Sequence, residues 1–342
     1  MRDVAPVTVS AGDLNYEWIE GWARIPKDAS IEAAWPHHGI GTLPSGEIVT
    51  THPSKPGFLI LETDGSLHRS ADTEIGDAHG ITVVREGDAA YLWIADASMK
   101  QVRESNYEPP ASSKGSVVAK VALSGRVITR LPKPELTVYG QGEYRPTCVA
   151  VNETRTGGNG DIWVADGYGE SYVHRFDASG RYVRSLSGEE GAGRFKGPHA
   201  VFIDRRRGEP ELYVADRNNG RIQVYDLEGR FKRVVGADFL SRPTWFAVDG
   251  ERLLVLEFRP PRLTVLDAAD QLIGYLAENP EAPAREGWPN QVSAQGAPER
   301  ATAIEAGKLN SPHALTLDRE GNIYITEWLI GGRIIKLKAL TH

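Results

Sequence analysis

The amino-acid sequence predicts an all-β protein that folds as a six-bladed β-propeller in one domain. Three observations lead to this fold. A unit of four short strands recurs along the chain, and its clearest copy is "GPHAVFIDRRRGEPELYVADRNNGRIQVYDLEGRFKRVVG" (197–236). The 36 glycines and 21 prolines supply the turns that many short strands require. The last unit runs out of chain after three strands, and the N-terminal "YEWIEGWARIP" (16–26) offers the missing fourth, which would close the ring.

Each repeat unit follows one plan that is visible in the residues at its strand ends. The first strand opens beside Pro or His, the second commonly ends in an acidic residue, the third commonly ends in Asp, and a Gly turn precedes the fourth. The predicted blades are 37–70, 78–131, 145–188, 197–236, 242–277, and 311–340 completed by 16–26. A Pro/Ser-rich insert (104–115) interrupts the second blade, and the Pro/Ala-rich stretch 278–308 is expected to be an interblade loop lying over one face. No linker divides the chain, so 1–342 is predicted to be a single domain.

Composition restricts the classes of partner. The net charge is −7 and no basic block occurs, which argues against nucleic-acid binding. No apolar run approaches the roughly 20 residues of a membrane span, and the N-terminus lacks the apolar core of a signal peptide. We therefore expect a soluble, cytoplasmic protein that acts on a small molecule, and the sequence leaves its oligomeric state open. The single cysteine, Cys148, excludes an intrachain disulfide and is expected in the core.

Histidine recurs at the position that follows the turn before each blade's first strand. In chain order this position holds His38, His79, Thr147, His199, Thr244 and His313. Because first strands line the channel of a propeller, the histidines of blades two, four and six should stand about 120° apart around one axis. Three imidazoles that leave one position open suit a catalytic divalent metal, for which zinc is the first candidate. The alternative is a metal-free channel in which the histidines cap turns or bind a ligand.

The histidines of the first blade are harder to assign. His38 occupies the repeat position and is predicted to contact the substrate, to ligate the metal as a fourth histidine, or to support a ligand. Its neighbour His37 would point the other way in a strand.

The channel mouth offers further candidates, because second strands end on the face where first strands begin. These ends carry Asp96, Asp166, Asp216, Glu257 and Glu327, which we expect mainly to bond backbone donors of their turns, and His52 in blade one. Tyr168 follows Asp166 and could exchange a proton with a bound substrate, unless it is a packing residue. Arg145 and Arg242 precede Pro-Thr in blades three and five and could clamp a carboxylate, or form salt bridges to neighbouring loops. Trp328 could form an apolar wall of a substrate site.

Several phrases resemble known repeats. "GNIYITE", "GDIWVAD" and "RIQVYDLEGRF" are similar to NHL repeats, and "HGITVV", "RPTCVAV", "GPHAVFI" and "SPHALTL" resemble the peptidyl-α-hydroxyglycine α-amidating lyase family. That resemblance implies a six-bladed propeller with a zinc ion held by His79, His199 and His313, and "DGYGES" places the family's catalytic tyrosine at Tyr168. Two positions depart from the family. Ala314 stands where an Asp would follow the last ligand, and His52 stands where a catalytic arginine is expected.

Three functions remain open at this point. The first is a metal-dependent lyase that cleaves a small α-hydroxy amide or related hydroxylated compound, with Tyr168 or His52 as the general base. The second is a metal-dependent hydrolase of an ester, lactone or amide, in which His38 and His52 carry protons. The third is a non-catalytic NHL scaffold, which gives no reason for histidines in alternate blades.

Overall fold

The computed structural model describes residues 6–26, 28–101, 103–108, 111 and 115–340, and it confirms the six-bladed β-propeller. Each blade is an antiparallel sheet whose first strand lines the channel, and consecutive strands pair in order outward. Blades one and two contain β3 (Ile40–Thr42), β4 (Ile48–Thr51), β5 (Gly57–Leu61), β6 (Leu67–Asp72), β7 (Ala78–Glu86), β8 (Ala89–Asp96), β9 (Val117–Ala122) and β10 (Val127–Leu131). Blades three and four contain β11 (Cys148–Val151), β12 (Ile162–Ala165), β13 (Val173–Phe176), β14 (Tyr182–Leu186), β15 (Pro198–Asp204), β16 (Glu211–Asp216), β17 (Arg221–Asp226) and β18 (Phe231–Val235).

The remaining strands form blades five and six and a small hairpin in the long interblade loop. They are β19 (Pro243–Asp249), β20 (Arg252–Phe258), β21 (Pro261–Leu266), β22 (Leu272–Leu276), β23 (Gln291–Val292), β24 (Pro298–Glu299), β25 (Pro312–Leu317), β26 (Ile323–Glu327) and β27 (Arg333–Ala339), with β1 (Thr8–Ala11) and β2 (Leu14–Ile19) from the N-terminus. One short helix, α1 (Ala29–Ala33), begins at Asp28, whose carboxylate accepts the backbone N–H groups of Ser30 and Ile31. Among the residues that the structure describes, no helix has the length and apolarity needed to cross a bilayer.

The N-terminal strand closes the ring, as predicted. Strand β2 pairs antiparallel with β27, and β1 adds a fifth strand to the outer edge of the last blade. The closing strand is displaced from the predicted 16–26, because β2 begins at Leu14 and ends at Ile19. The buried guanidinium of Arg333 in β27 contacts the carboxylates of Glu20 and Glu327, so an ion pair supports the closure.

The hydrophobic core lies between neighbouring blades. The second strands repeat a large aromatic side chain at one register position, which is buried in each case: Trp93, Trp163, Tyr213 and Tyr324. Each such ring removes about 150–250 Å² of surface from water, so this repeated position contributes to the buried core. Cys148 is buried in this core, as expected.

Candidate metal centre

The predicted ring of histidines is formed, and an irregularity of the first strand accompanies each one. The pairing of first and second strands shifts between Ala78 and Gly80, between Pro198 and Val201, and between Pro312 and Ala314. Bulges of this kind redirect a side chain out of the regular alternation of a strand. The structure brings the three imidazoles of His79, His199 and His313 together on the channel axis, each at most 4% exposed.

A backbone carbonyl oxygen lies within hydrogen-bond distance of the Nδ1 atom of each imidazole. The Nδ1 atom of His79 lies 2.9 Å from the Thr147 carbonyl oxygen, and that of His199 lies 2.9 Å from the Thr244 carbonyl oxygen. The Nδ1 atom of His313 lies 3.0 Å from the carbonyl oxygen of His38. A carbonyl accepts only from a protonated nitrogen, so each Nδ1 carries the hydrogen and each Nε2 is left with a lone pair.

The Nε2 lone pairs converge on one point. The Nε2 atoms of His313 and His79 are 3.0 Å apart, and a nitrogen of each of the three residues lies within 4.8 Å of the others. Burial, reinforced by neighbouring histidines, holds the pKa of His79 well below its usual range, and burial lowers that of His313 to about 4. Protonation therefore does not relieve the repulsion between lone pairs near neutral pH. A divalent cation does, so the donor set fits a metal ion with an open fourth position.

The acidic residues at the mouth fix the backbone ahead of the ligands. The Asp96 carboxylate accepts N–H bonds from Gly76 and Asp77, just before the first ligand in the chain. The Asp216 carboxylate accepts the Lys196 N–H at 2.8 Å, and the Glu327 carboxylate accepts the Ser311 N–H at 3.0 Å. The expected backbone role of these acids is confirmed, and it positions the strands that carry the histidines.

Tyr168 reaches the three-histidine group from the loop that follows β12. Its hydroxyl oxygen lies 3.1 Å from the Nε2 atom of His199, and the Arg217 guanidinium lies 5.2 Å from its ring centroid. Burial raises the pKa of Tyr168, and the nearby Arg217 opposes that shift. The Asp166 carboxylate orders the loop, because it accepts the backbone N–H groups of Arg145 and Glu170, each at 2.7 Å.

A cavity of about 310 Å³ opens beside the ring of histidines. The guanidinium-bearing residues Arg217 and Arg242 line it, and no described carboxylate side chain does. Within the described part of the chain, Arg217 has no ion-pair partner, and Arg242 donates to the Asn218 side-chain oxygen at 3.1 Å. Apolar side chains complete the wall: Met99, Phe258, Pro312 and Trp328. The cavity is thus suited to a ligand that combines an anionic group with an apolar group.

The other predicted site residues divide into two groups. Tyr168, Arg242 and Trp328 line the cavity, whereas His38, His52 and Arg145 do not. The Arg145 guanidinium donates to the carbonyl oxygens of Ala97 and Ser98, which belong to a neighbouring loop. The Nδ1 atom of His52 accepts the Ser54 N–H at 3.3 Å within its own turn. The roles of these residues in catalysis or substrate binding remain predictions.

His37 and Arg217 are among the cavity-lining residues that sequence reasoning missed. His37 was expected to point away, but β3 begins only at Ile40, so strand alternation does not apply to it. The buried ring of His38 points away from the cavity, toward Gly332. Arg217 directly follows the mouth residue Asp216, and its place beside that acid was the signal that could have identified it.

Several known proteins are similar in sequence to this chain. No family model matches the chain. Peptidyl-glycine alpha-amidating monooxygenase A of Xenopus laevis is 28% identical over 205 residues, which are 58% of this chain and 18% of that protein. A probable peptidyl-alpha-hydroxyglycine alpha-amidating lyase of Caenorhabditis elegans is 27% identical over 151 residues, 43% of this chain and 36% of that protein. The chain thus spans about a fifth of the length of the amidating monooxygenases it matches.

A longer sequence match indicates the type of repeat, and similar solved structures show the fold. Human NHL repeat-containing protein 3 is 25% identical over 280 residues, which cover 80% of this chain and 70% of that protein. A gluconolactonase from Xanthomonas campestris superposes with a TM-score of 0.60 at 13% identity, covering 99% of this chain and 96% of that one. A streptogramin B lyase gives a TM-score of 0.57 at 13% identity over 99% and 100% of the two chains. The homologues of this chain therefore include peptidyl-α-hydroxyglycine amidating lyases and NHL repeat-containing proteins.

Proposed function

We propose that this protein is a zinc-dependent lyase that cleaves a small α-hydroxy amide bearing a carboxylate. The observation that carries the proposal is the Tyr168 hydroxyl, held 3.1 Å from a metal-ligating nitrogen at the edge of an acid-free cavity. A phenol at that distance can contact whatever group fills the open position of the metal. The amidating lyases among the homologues support the same reaction class.

A bound zinc ion would act as a Lewis acid and lower the pKa of the substrate hydroxyl. Tyr168 accepts the hydroxyl proton while it donates its own proton to the departing amide nitrogen, so the phenol returns to its neutral form. The carbon–nitrogen bond breaks, the carbon–oxygen bond becomes a carbonyl, and the products are an amide and a carbonyl acid. Arg217 and Arg242 would orient the carboxylate, since both residues line the cavity.

The runner-up function, a hydrolase of an ester, lactone or amide, has less support. It relies on His38 and His52 to carry protons, and neither residue lines the cavity. The non-catalytic scaffold does not explain why three buried imidazoles direct unshared lone pairs at one point. A small-molecule substrate is favoured because a cavity of about 310 Å³ matches a compact ligand.

Metal analysis and one substitution test this function. Untagged protein should contain zinc, and less than about 0.2 equivalents of any transition metal, without gain on reconstitution, would refute both metal-dependent functions. N-benzoyl-α-hydroxyglycine should release glyoxylate, and Tyr168→Phe should lower kcat by about 10²-fold or more with metal content unchanged. Esterase or lactonase activity that is insensitive to Tyr168→Phe would instead indicate the hydrolase.

A further inference from the structure

His37 is a buried histidine that is not one of the three candidate metal ligands and takes no part in the proposed proton transfer. Its side chain is 4% exposed and lines the cavity, and its Nδ1 atom is buried without a hydrogen-bond partner. A buried polar atom without a partner is costly, so such atoms are uncommon in folded proteins. A cavity-lining imidazole with an unpartnered nitrogen points to a role toward a ligand.

The position of His37 relative to the metal centre is close but outside ligation range. Its ring centroid is 5.3 Å from that of His79 and 5.4 Å from that of His313, whereas the ligand rings lie 4.5–5.5 Å from one another. His37 nevertheless falls outside the group whose nitrogens all lie within 4.8 Å. The imidazole therefore borders the three-histidine group without belonging to it.

Aromatic stacking holds the His37 ring in this place. Trp328 stacks on His37 with centroids 5.2 Å apart and an interplanar angle of 23°, and it also stacks on Trp35 at 4.8 Å and 27°. The indole N–H of Trp328 donates to the side-chain oxygen of Gln101 at 3.2 Å, which fixes the indole in turn. A ring supported in this way cannot easily turn to find another partner, and its orientation is set before a ligand binds.

We propose that His37 contacts the substrate, donating a hydrogen bond from its imidazole to the oxygen-bearing group that occupies the open metal position. This inference rests on the proposed function in one respect: it takes the ligand to be an α-hydroxy carboxylate. Tyr168 is a neighbour of His37 at this site, since its ring centroid is 6.1 Å from that of His37. Trp328, predicted from the sequence to contact the substrate, serves here to position His37.

Binding of glycolate to the Co²⁺-loaded protein tests this assignment without any turnover. Glycolate is the smallest α-hydroxy carboxylate and has no leaving group, and the visible absorption of Co²⁺ reports changes at the open position. His37→Phe keeps a ring to stack on Trp328 and removes the nitrogens, so the Kd for glycolate should rise about 10-fold. His37→Gln retains a donor and should recover most of that loss, whereas the control His68→Gln, at a histidine of the outer strand β6, should bind as the wild type does.

Each outcome decides the assignment. Unchanged glycolate binding by His37→Phe would overturn it, as would a wild-type protein whose Co²⁺ spectrum does not respond to glycolate. A His37→Phe protein with an altered Co²⁺ spectrum or weakened metal binding before glycolate is added would make His37 a ligand and would also overturn it. Should His37→Phe fail to fold, His37→Ala is measured by the same criteria. Failure of the lyase function appears separately, as absent glyoxylate release in a protein that still binds glycolate.

Discussion

The substitution Tyr139→Phe should destabilise the protein, because the Tyr139 hydroxyl joins two buried polar groups. That hydroxyl donates to the Asp166 carboxylate at 2.6 Å, and its oxygen lies 2.8 Å from the Nε2 atom of His174. Ser185 lies 2.7 Å from the other ring nitrogen of His174, so the imidazole accepts from the serine and donates to the tyrosine. Phenylalanine fits the same space and deletes both bonds.

The size of the effect follows from what is left unpaired. A buried imidazole N–H loses its acceptor and a buried carboxylate loses one donor, which together cost about 2–4 kcal/mol. For 342 residues the unfolding entropy is roughly 0.7 kcal/mol/K, so Tm should fall by about 3–6 °C. The Tyr139 hydrogen bond also lowers the pKa of Asp166, which burial raises to about 6, so the variant should raise that pKa further.

Tyr144→Phe is the matched control for this substitution. The two tyrosine rings are neighbours, with centroids 5.6 Å apart, and the Tyr144 hydroxyl is buried without a partner. Its removal should leave stability unchanged or slightly raised, because no hydrogen bond is lost. Urea denaturation of both variants and the wild type, followed by tryptophan fluorescence, measures the difference. Equal free energies of unfolding for the two variants would refute the reasoning.

Two further substitutions test the backbone support of the metal centre and the closure of the ring. A Cβ atom on Gly80 would lie far inside van der Waals distance of the Thr147 carbonyl oxygen, which holds the His79 imidazole, so Gly80→Ala should weaken the affinity for the proposed zinc ion by about 10-fold or more. Gly76→Ala, with its nearest contact at 3.5 Å, is the control, and equal zinc affinities in a competition titration would contradict this reasoning. Arg333→Met would leave Glu327 buried without its cation and should cost about 3–5 kcal/mol in urea denaturation. The same change at the more exposed Arg252 should cost under about 1 kcal/mol, and comparable losses would count against the buried pair.

The fold and the three histidines were predictable because repetition determines backbone position. Once the units are aligned, equivalent residues share a register, and the first strands must face one axis. Side-chain direction is less constrained. Arg145 and Arg242 occupy the same phrase in blades three and five, yet Arg145 donates to carbonyls of the preceding blade and Arg242 lines the cavity. Local partners outside the repeat decide between these arrangements, and the repeat carries no information about them.

In blade one, an irregular backbone prevented the direction of two side chains from being predicted. The alternation of side chains predicted that His38 would face the channel and His37 would not, but regular pairing begins only at Ile40. The outcome is reversed, with His37 in the cavity and the His38 ring toward Gly332. A short irregular segment before a strand has no period from which a direction could be derived.

Backbone carbonyl oxygens hold the three histidines in place. Residue types alone could not reveal this part of the site. Blades two, four and six supply imidazoles, and the carbonyl oxygens that hold them belong to Thr147, Thr244 and His38 in blades three, five and one. These six residues are the six that the repeat placed at one position. Side-chain chemistry could identify the three imidazoles but not the three carbonyl oxygens, because a carbonyl oxygen is common to every residue. Each ligand is therefore oriented across a blade interface, and an even number of blades allows the alternation to close around the ring. A change in the packing of any neighbouring pair of blades on which a ligand depends should accordingly alter metal binding, even where no ligand is replaced.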